Sequence, residues 1–187
     1  MKKAVFLDRD GTINREVDNL RDLSQLRFLP GAARAIERMN KLGYLVIIIT
    51  NQPVVARGLL TEKELDKIHA VIIRRLGSKN AKIDAIYYCP HHPNANVRKY
   101  RMECKCRKPN TGLVRQAMRK FHIAPRKSFM VGDTMPDIVM GGRAKLTTIL
   151  VKTGGANRND RGYTAEPDFV AKNLGEAARI IKKHTKQ

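Results

Sequence analysis

Tryptophan is absent from this 187-residue chain, and Phe, Trp and Tyr together make up only 5% of it. A groove that grips single-stranded nucleic acid by stacking bases on rings is therefore poorly supplied. Acidic residues are outnumbered, 17 against 37 basic ones, for a formal net charge of +20 at pH 7. Long apolar runs are missing as well. The longest aliphatic stretch, Leu45 to Ile49, is five residues, whereas a membrane-spanning helix needs roughly twenty. Met1-Lys2-Lys3-Ala4 leads into a strand-like segment that reaches Asp8 and Asp10, without the apolar region and small-residue cleavage site of a signal peptide. The expected location is the cytoplasm. Cysteine is confined to Cys89, Cys104 and Cys106, an odd number that argues against a disulfide framework. No internal repeat, low-complexity tract or dividing linker interrupts the chain, so residues 1–187 are expected to form a single domain.

Hydrophobic residues at 42% and charged residues at 29% describe a globular composition. A chain of this length can bury most of the apolar surface it would expose when unfolded. The basic surplus runs through every quarter of the chain and is largest over residues 101–150, with 11 Lys and Arg against 3 Asp and Glu. Such a charge attracts anions at long range. A solvated basic surface accounts for most of it, because no nucleic-acid recognition motif accompanies it. The expected partner is a small anionic substrate, with no membrane partner, and the expected state is a monomer.

The apolar pattern switches between strand and helix. Residues 3–8 read as a short buried strand ending in acid, and 13–30 as a loop. Pro30-Gly31 opens a helix with Ile36, Met39 and Leu42 on one face, closed at Gly43. Residues 44–49 form an apolar, β-branched run suited to a strand buried on both faces, ending at Thr50-Asn51-Gln52. Thr61 with Glu64 forms a capping-box signature ahead of Leu65, Ile68, Ile72 and Leu76 at helical spacing. A third strand over 83–88 precedes a long irregular insert, 89–108. A helix over 111–121, a strand over 128–131, a short helix over 136–143, a strand over 147–151 and a final helix over 174–183 follow. The alternation predicts an α/β fold, a Rossmann-like parallel sheet with helices on both faces. Ligands bind beyond the carboxyl ends of such strands, and Asp8, Thr50 and Asp133 each fall at one.

Those residue types suit phosphoryl chemistry. A carboxylate can attack phosphorus and form an aspartyl-phosphate. A second carboxyl two residues away can protonate the leaving oxygen and then deprotonate water. Asp8-Arg9-Asp10-Gly11-Thr12 supplies both, and the mutual repulsion of clustered carboxylates is relieved by a hard cation such as Mg²⁺. Thr50 and the Asn51 amide offer donors for the transferring group, Lys108 offers a compensating cation, and Asp133 offers a further carboxylate. Asp137 is placed to anchor Lys108 or the waters of the metal.

The insert carries a second constellation. Cys89-Pro90-His91 and Cys104-Lys105-Cys106 supply three thiolates and an imidazole across a gap of twelve residues, a Cys₃His complement suited to tetrahedral zinc. Four protein ligands leave no open position, so the site reads as structural and would fix Arg107 and Lys108, which directly follow Cys106. His92 is adjacent to His91 and could replace it.

Taken together, Asp8-x-Asp10-Gly11-Thr12, Thr50-Asn51-Gln52, Arg107-Lys108-Pro109 and Gly132-Asp133-x₃-Asp137 resemble the four motifs of the haloacid dehalogenase (HAD) phosphatase superfamily. With its C-x-H…C-x-C insert the chain is similar to the subfamily of heptose-bisphosphate and histidinol-phosphate phosphatases, over roughly residues 3–153. The resemblance implies a HAD-like fold with a zinc-binding loop and no large cap domain. It implies Asp8 as nucleophile, Asp10 as general acid and base, and Thr50 and Lys108 as stabilisers of the phosphoryl group. Mg²⁺ would sit on Asp8, the Asp10 backbone carbonyl and Asp133, supported by Asp137, and zinc on Cys89, His91, Cys104 and Cys106. Arg107 would recognise the substrate, bordered by Glu16, Val17, Asp18 and Asn19 and by Thr50, Asn51, Gln52 and Pro53. The implied reaction is Mg²⁺-dependent hydrolysis of a small sugar phosphate, a heptose 1,7-bisphosphate losing its 7-phosphate.

The chain departs from that pattern in three places. Many members read T-N-Q-S-G-I where Gln52 here is followed by Pro53-Val54-Val55, which removes a backbone donor and a hydroxyl. Thr134 stands where close members often carry Lys or Arg. The loop Arg15-Glu16-Val17-Asp18-Asn19 lacks the His-Gly-Tyr character of some heptose enzymes. Three other functions therefore stay open: hydrolysis of histidinol phosphate, removal of 3′-phosphates from nucleic acid, and a non-catalytic zinc-stabilised nucleic-acid-binding module. The last would leave the ordered Asp8, Asp10, Thr50, Lys108 and Asp133 without a use.

Overall fold

The computed structural model describes residues 1–154 and 162–185. Strand β1 (Ala4–Leu7) is buried along its whole length because its side chains enter two cores in alternation: Val5 and Leu7 one, Ala4 and Phe6 the other. Strand β2 (Leu45–Asn51) does the same, with Val46 and Ile48 set against Ile47 and Ile49. Burial on both faces is why these strands read as continuous apolar runs and not as an alternating pattern. With β3 (Ala85–Cys89), β4 (Phe129–Gly132), β5 (Thr147–Val151) and β6 (Phe169–Ala171) they form one all-parallel sheet of order β3-β2-β1-β4-β5-β6.

Helices cover both faces. Ile36 and Met39 of α1 (Ala32–Lys41) share one core with Ile68 and Ile72 of the helix Glu62–Gly77, and with Ala177 and Ile181 of the helix Leu174–His184. Leu113, Val114 and Ala117 of the helix Gly112–Phe121, with Met140 of the helix Met135–Arg143, fill the other. In chain order these are α3, α6, α4 and α5, and α2 is the four-residue helix Pro53–Ala56. Helix α3 starts as its sequence signature dictates: the Thr61 hydroxyl accepts from the Glu64 backbone N–H at 3.2 Å, and the Glu64 carboxylate accepts from the Thr61 N–H at 2.8 Å. Among the described residues, no helix is long and apolar enough to cross a membrane.

Strand order reverses between β1 and β4, so their carboxyl ends flank the crevice where ligands bind in open parallel sheets. Three features differ from the sequence reading. Pairing of Thr50 with Tyr88 and Asn51 with Cys89 carries β2 and β3 further than their apolar runs. Thr50 is therefore inside a strand end, and Cys89 closes β3 instead of opening the insert. Helix α2 was not expected, because Pro53 suggests a break; at the first position of a helix, proline has no hydrogen bond to lose. Strand β6 escapes notice because three residues with one exposed side chain carry no period. The 13–30 loop is closed on itself by Arg15 N–H to Arg27 O at 2.8 Å and Leu29 N–H to Ile13 O at 2.9 Å, over buried Ile13, Leu20 and Leu26.

Candidate active site

The Asp8 N–H extends the β1–β4 ladder by donating to Val131 O at 3.0 Å, which aims its side chain at the crevice end of the sheet. Gly11 turns the chain at φ 75°, and a Cβ there would overlap the Asp133 carboxylate. Only glycine meets both demands. Thr12 then donates its hydroxyl to Asp133 Oδ1 at 3.1 Å, tying the end of β1 to the end of β4.

Lys108 Nζ lies 2.8 Å from Asp8 Oδ1 and 2.7 Å from Asp137 Oδ1, and donates to Ile49 O at 3.2 Å. The Asn51 side chain clasps the Lys108 backbone, accepting from its N–H at 3.0 Å and donating to its carbonyl at 3.3 Å. Asp137 is held from behind: the Thr134 hydroxyl and N–H donate to its Oδ2 at 2.7 and 3.2 Å. Burial pulls the Lys108 ammonium down, but the Asp137 and Asp8 charges outweigh it and raise it. Burial pushes the Asp8 carboxyl up to about 7 against the pull of Lys108, with the Asp137 and Asp10 charges adding to the rise.

Asp10 faces a different environment. Arg9 reaches it with Nε and Nη2 at 3.2 and 2.7 Å, Asn14 Nδ2 donates at 2.8 Å, and Gln52 Nε2 donates at 2.9 Å. Burial favours the neutral carboxyl, but the Arg9 charge and these bonds outweigh it and hold Asp10 below the usual range. Arg9 is itself fully buried, and its Nη1 meets His69 Nε2 at 3.1 Å. Burial and the Arg9 charge push His69 down to about 3, so the ring is neutral and accepts from the guanidinium. Gln52 Nε2 also donates to Thr50 Oγ1 at 2.9 Å, linking the two motifs. Neither Arg9 nor His69 was singled out from the sequence; a buried arginine between two aspartates in D-R-D was the available signal.

A cleft of about 250 Å³ opens on this cluster. Asp8, Asp10, Thr50, Lys108 and Arg107 line it, as do Glu16 to Asn19 on one wall and Asn51 to Pro53 on another. Asp133 and Asp137 are buried behind it. Arg107 is nearly buried, its Nη1 donating to His91 O at 3.0 Å. The sequence reading missed Arg57, which also lines the cleft and donates from Nη1 to Asn19 Oδ1 at 2.6 Å. It sits at the end of α2, a helix that the sequence did not disclose.

The donor sets fit two kinds of ion. Asp8, Asp133 and Asp137 offer carboxylate oxygens within 4.8 Å of one another, a hard, all-oxygen set that suits Mg²⁺. One lysine contacts two of these three carboxylates, so the cluster can accept further positive charge. Cys89, His91, Cys104 and Cys106 form the second set. His91 Nδ1 is 3.3 Å from Cys106 Sγ, and Cys89 Sγ is 3.4 and 3.0 Å from the sulfurs of Cys104 and Cys106. Burial pushes the Cys89 thiol well above the ordinary range and Cys106 up to about 11. His92 turns away and accepts from the Asn94 N–H at 3.1 Å.

A six-stranded parallel sheet with clustered carboxylates, a lysine and a hydroxyl at its carboxyl edge defines a phosphatase of Rossmann-like architecture. The model of the HAD-hydrolase-like family matches residues 105–177. The D-glycero-β-D-manno-heptose-1,7-bisphosphate 7-phosphatase of Pasteurella multocida is 37% identical over 97% of this chain and 98% of its own, and that of Escherichia coli K12 is 35% identical over 98% and 95%. Among solved structures, the D,D-heptose 1,7-bisphosphate phosphatase of B. bronchiseptica, complexed with magnesium and phosphate, superposes with a TM-score of 0.85 at 31% identity, over 97% of this chain and 99% of its own. The chain belongs to the HAD-like phosphatase family of these relatives.

Proposed function

We propose that the chain hydrolyses the 7-phosphate of a heptose 1,7-bisphosphate, through an aspartyl-phosphate on Asp8. The observation that carries the chemistry is the placement of Asp8 against Lys108, at the mouth of a cleft also lined by Thr50 and Asp10. The substrate is carried by the whole-length likeness to enzymes named for that reaction.

In the first step an Asp8 oxygen bonds to phosphorus as the ester bond breaks, and Asp10, having first taken up a proton, gives it to the departing sugar oxygen. In the second, Asp10 takes a proton from water, which attacks the acyl-phosphate and frees Asp8 and inorganic phosphate. Lys108 and the Thr50 hydroxyl offset charge on the phosphoryl oxygens in both. Mg²⁺, held by Asp8 and Asp133 with the Asp10 carbonyl, would supply further positive charge at the phosphoryl group. Asp137 serves by holding Lys108 in place. Zinc on Cys89, His91, Cys104 and Cys106 would be structural. The chain would act as a monomer, in the cytoplasm.

The test is a phosphate-release screen with Mg²⁺ on heptose 1,7-bisphosphate, histidinol phosphate and a 3′-phosphorylated oligonucleotide, using wild type and Asp8→Asn. The bisphosphate should be preferred, and the variant should lose about 10³-fold or more in kcat. A preference for either other ester would replace the substrate, and an active Asp8→Asn would remove the covalent step.

A further inference from the structure

We infer that Arg57 is a specificity-determining residue that binds the second phosphate of the substrate, the one that is not hydrolysed; this rests on the bisphosphate reading above. The cleft is lined by three cations, Arg57, Arg107 and Lys108, against four carboxylates, Asp8, Asp10, Glu16 and Asp18. A substrate with two phosphates brings more negative charge into that setting, and each phosphate needs a facing cation.

Lys108 is committed to the reacting end, held between Asp8 and Asp137. Arg107 is only 8% exposed and tied to the metal-binding insert through His91 O. Arg57 differs in three respects. Its side chain is 40% exposed. Its contacts lie on the wall formed by the 16–19 loop, away from the lysine: Nη1 reaches Asn19 Oδ1 at 2.6 Å and Asp18 Oδ1 at 3.5 Å. Among the described residues it uses only that nitrogen, so Nε and Nη2 keep their donors, the planar pair that matches two phosphate oxygens.

The backbone presents this side chain reproducibly. The Arg57 N–H donates to Pro53 O at 2.9 Å, and Gly58 turns the chain away at φ 74°. The Asp18 partner is almost fully exposed and its contact is long, so the pair is weak and a phosphate can displace it at little cost. The same guanidinium would then hold both the anion and the loop that forms this wall.

The experiment compares kcat/KM on heptose 1,7-bisphosphate and on heptose 7-phosphate for wild type, Arg57→Ala and Arg57→Lys. Wild type should favour the bisphosphate. In Arg57→Ala that ratio should fall about 10- to 100-fold, the scale of one charged hydrogen-bonded contact, with the loss in KM and not in kcat. Arg57→Lys should restore part of it. Equal losses on both esters would make Arg57 a brace for the loop and overturn the inference, as would an unchanged ratio or a wild-type ratio near one. Wild type that cleaves p-nitrophenyl phosphate but neither heptose ester would overturn the substrate reading and this inference together, whereas wild type that cleaves both heptose esters with a ratio unaltered by Arg57→Ala would overturn the Arg57 inference alone.

Discussion

Two aspartates two residues apart carry opposite electrostatic settings. Asp8 is desolvated among carboxylates and raised, whereas Asp10 is gripped by Arg9, Asn14 and Gln52 and lowered. The ionised Asp10 is in the state needed to accept a proton from water, and it must gain a proton before it can give one to a leaving group. Asp10→Asn should therefore be most damaging with a sugar phosphate, whose alkoxide departs poorly. It should be milder by about 10²-fold with p-nitrophenyl phosphate, which leaves unaided. The check is kcat for both esters in the same preparation; equal losses would count against Asp10 as the acid. Asp8, Asp10, Thr50, Lys108 and Asp133 were legible in the sequence because their chemistry is written in residue type and local order. Arg57 and the Arg9–His69 pair were not. One depends on an unexpected four-residue helix, and the other on residues sixty positions apart meeting in the core.

At the level of elements, the insert between β3 and α4 acts through what it holds. Cys89 closes β3, and Val97 N–H donates to Ala56 O of α2 at 3.0 Å. Tyr100 donates to Glu62 of α3 at 2.7 Å, and Cys106 leads directly into Arg107 and Lys108. Wild-type protein purified without chelator should carry one zinc per chain by metal analysis. Cys104→Ser should release it, disorder the insert and lower kcat/KM by about 10-fold or more through displaced Arg107 and Lys108. A zinc-free wild type with full activity would remove the claim. The cluster itself was legible, because four soft ligands in two tight pairs form a local pattern. The resemblance already favoured His91 over His92, and the fold agrees in turning one ring toward the sulfurs and the other toward the Asn94 N–H.

For the whole molecule, the buried neutral His69 links stability to pH. Its pKa is depressed from 6.5 to about 3, so the unfolded chain binds the proton more readily. Its contribution is complete above about pH 6.5 and is lost as pH falls toward 3. Asp8 works in the opposite sense: its raised carboxyl favours the folded state at low pH and loses that advantage as pH rises toward 7. The His69 share is isolated by comparing urea midpoints at pH 7.5 and 5 for wild type and His69→Gln. The variant should show a smaller drop on acidification, and equal drops would exclude His69 as the source.

Sequence by itself determined the class of fold, the phosphatase family and the composition of the two clusters that could hold a metal. Buried parallel strands are continuous apolar runs, and reactive groups must be of particular types at the strand ends. Tertiary structure alone decided how those groups divide the work. Packing put Lys108 between two carboxylates, separated Asp8 from Asp10 electrostatically, and brought Arg57 to the cleft. Each of these depends on distances between segments far apart in the chain, and such distances are set by the order of strands in the sheet and not by any local pattern of residues.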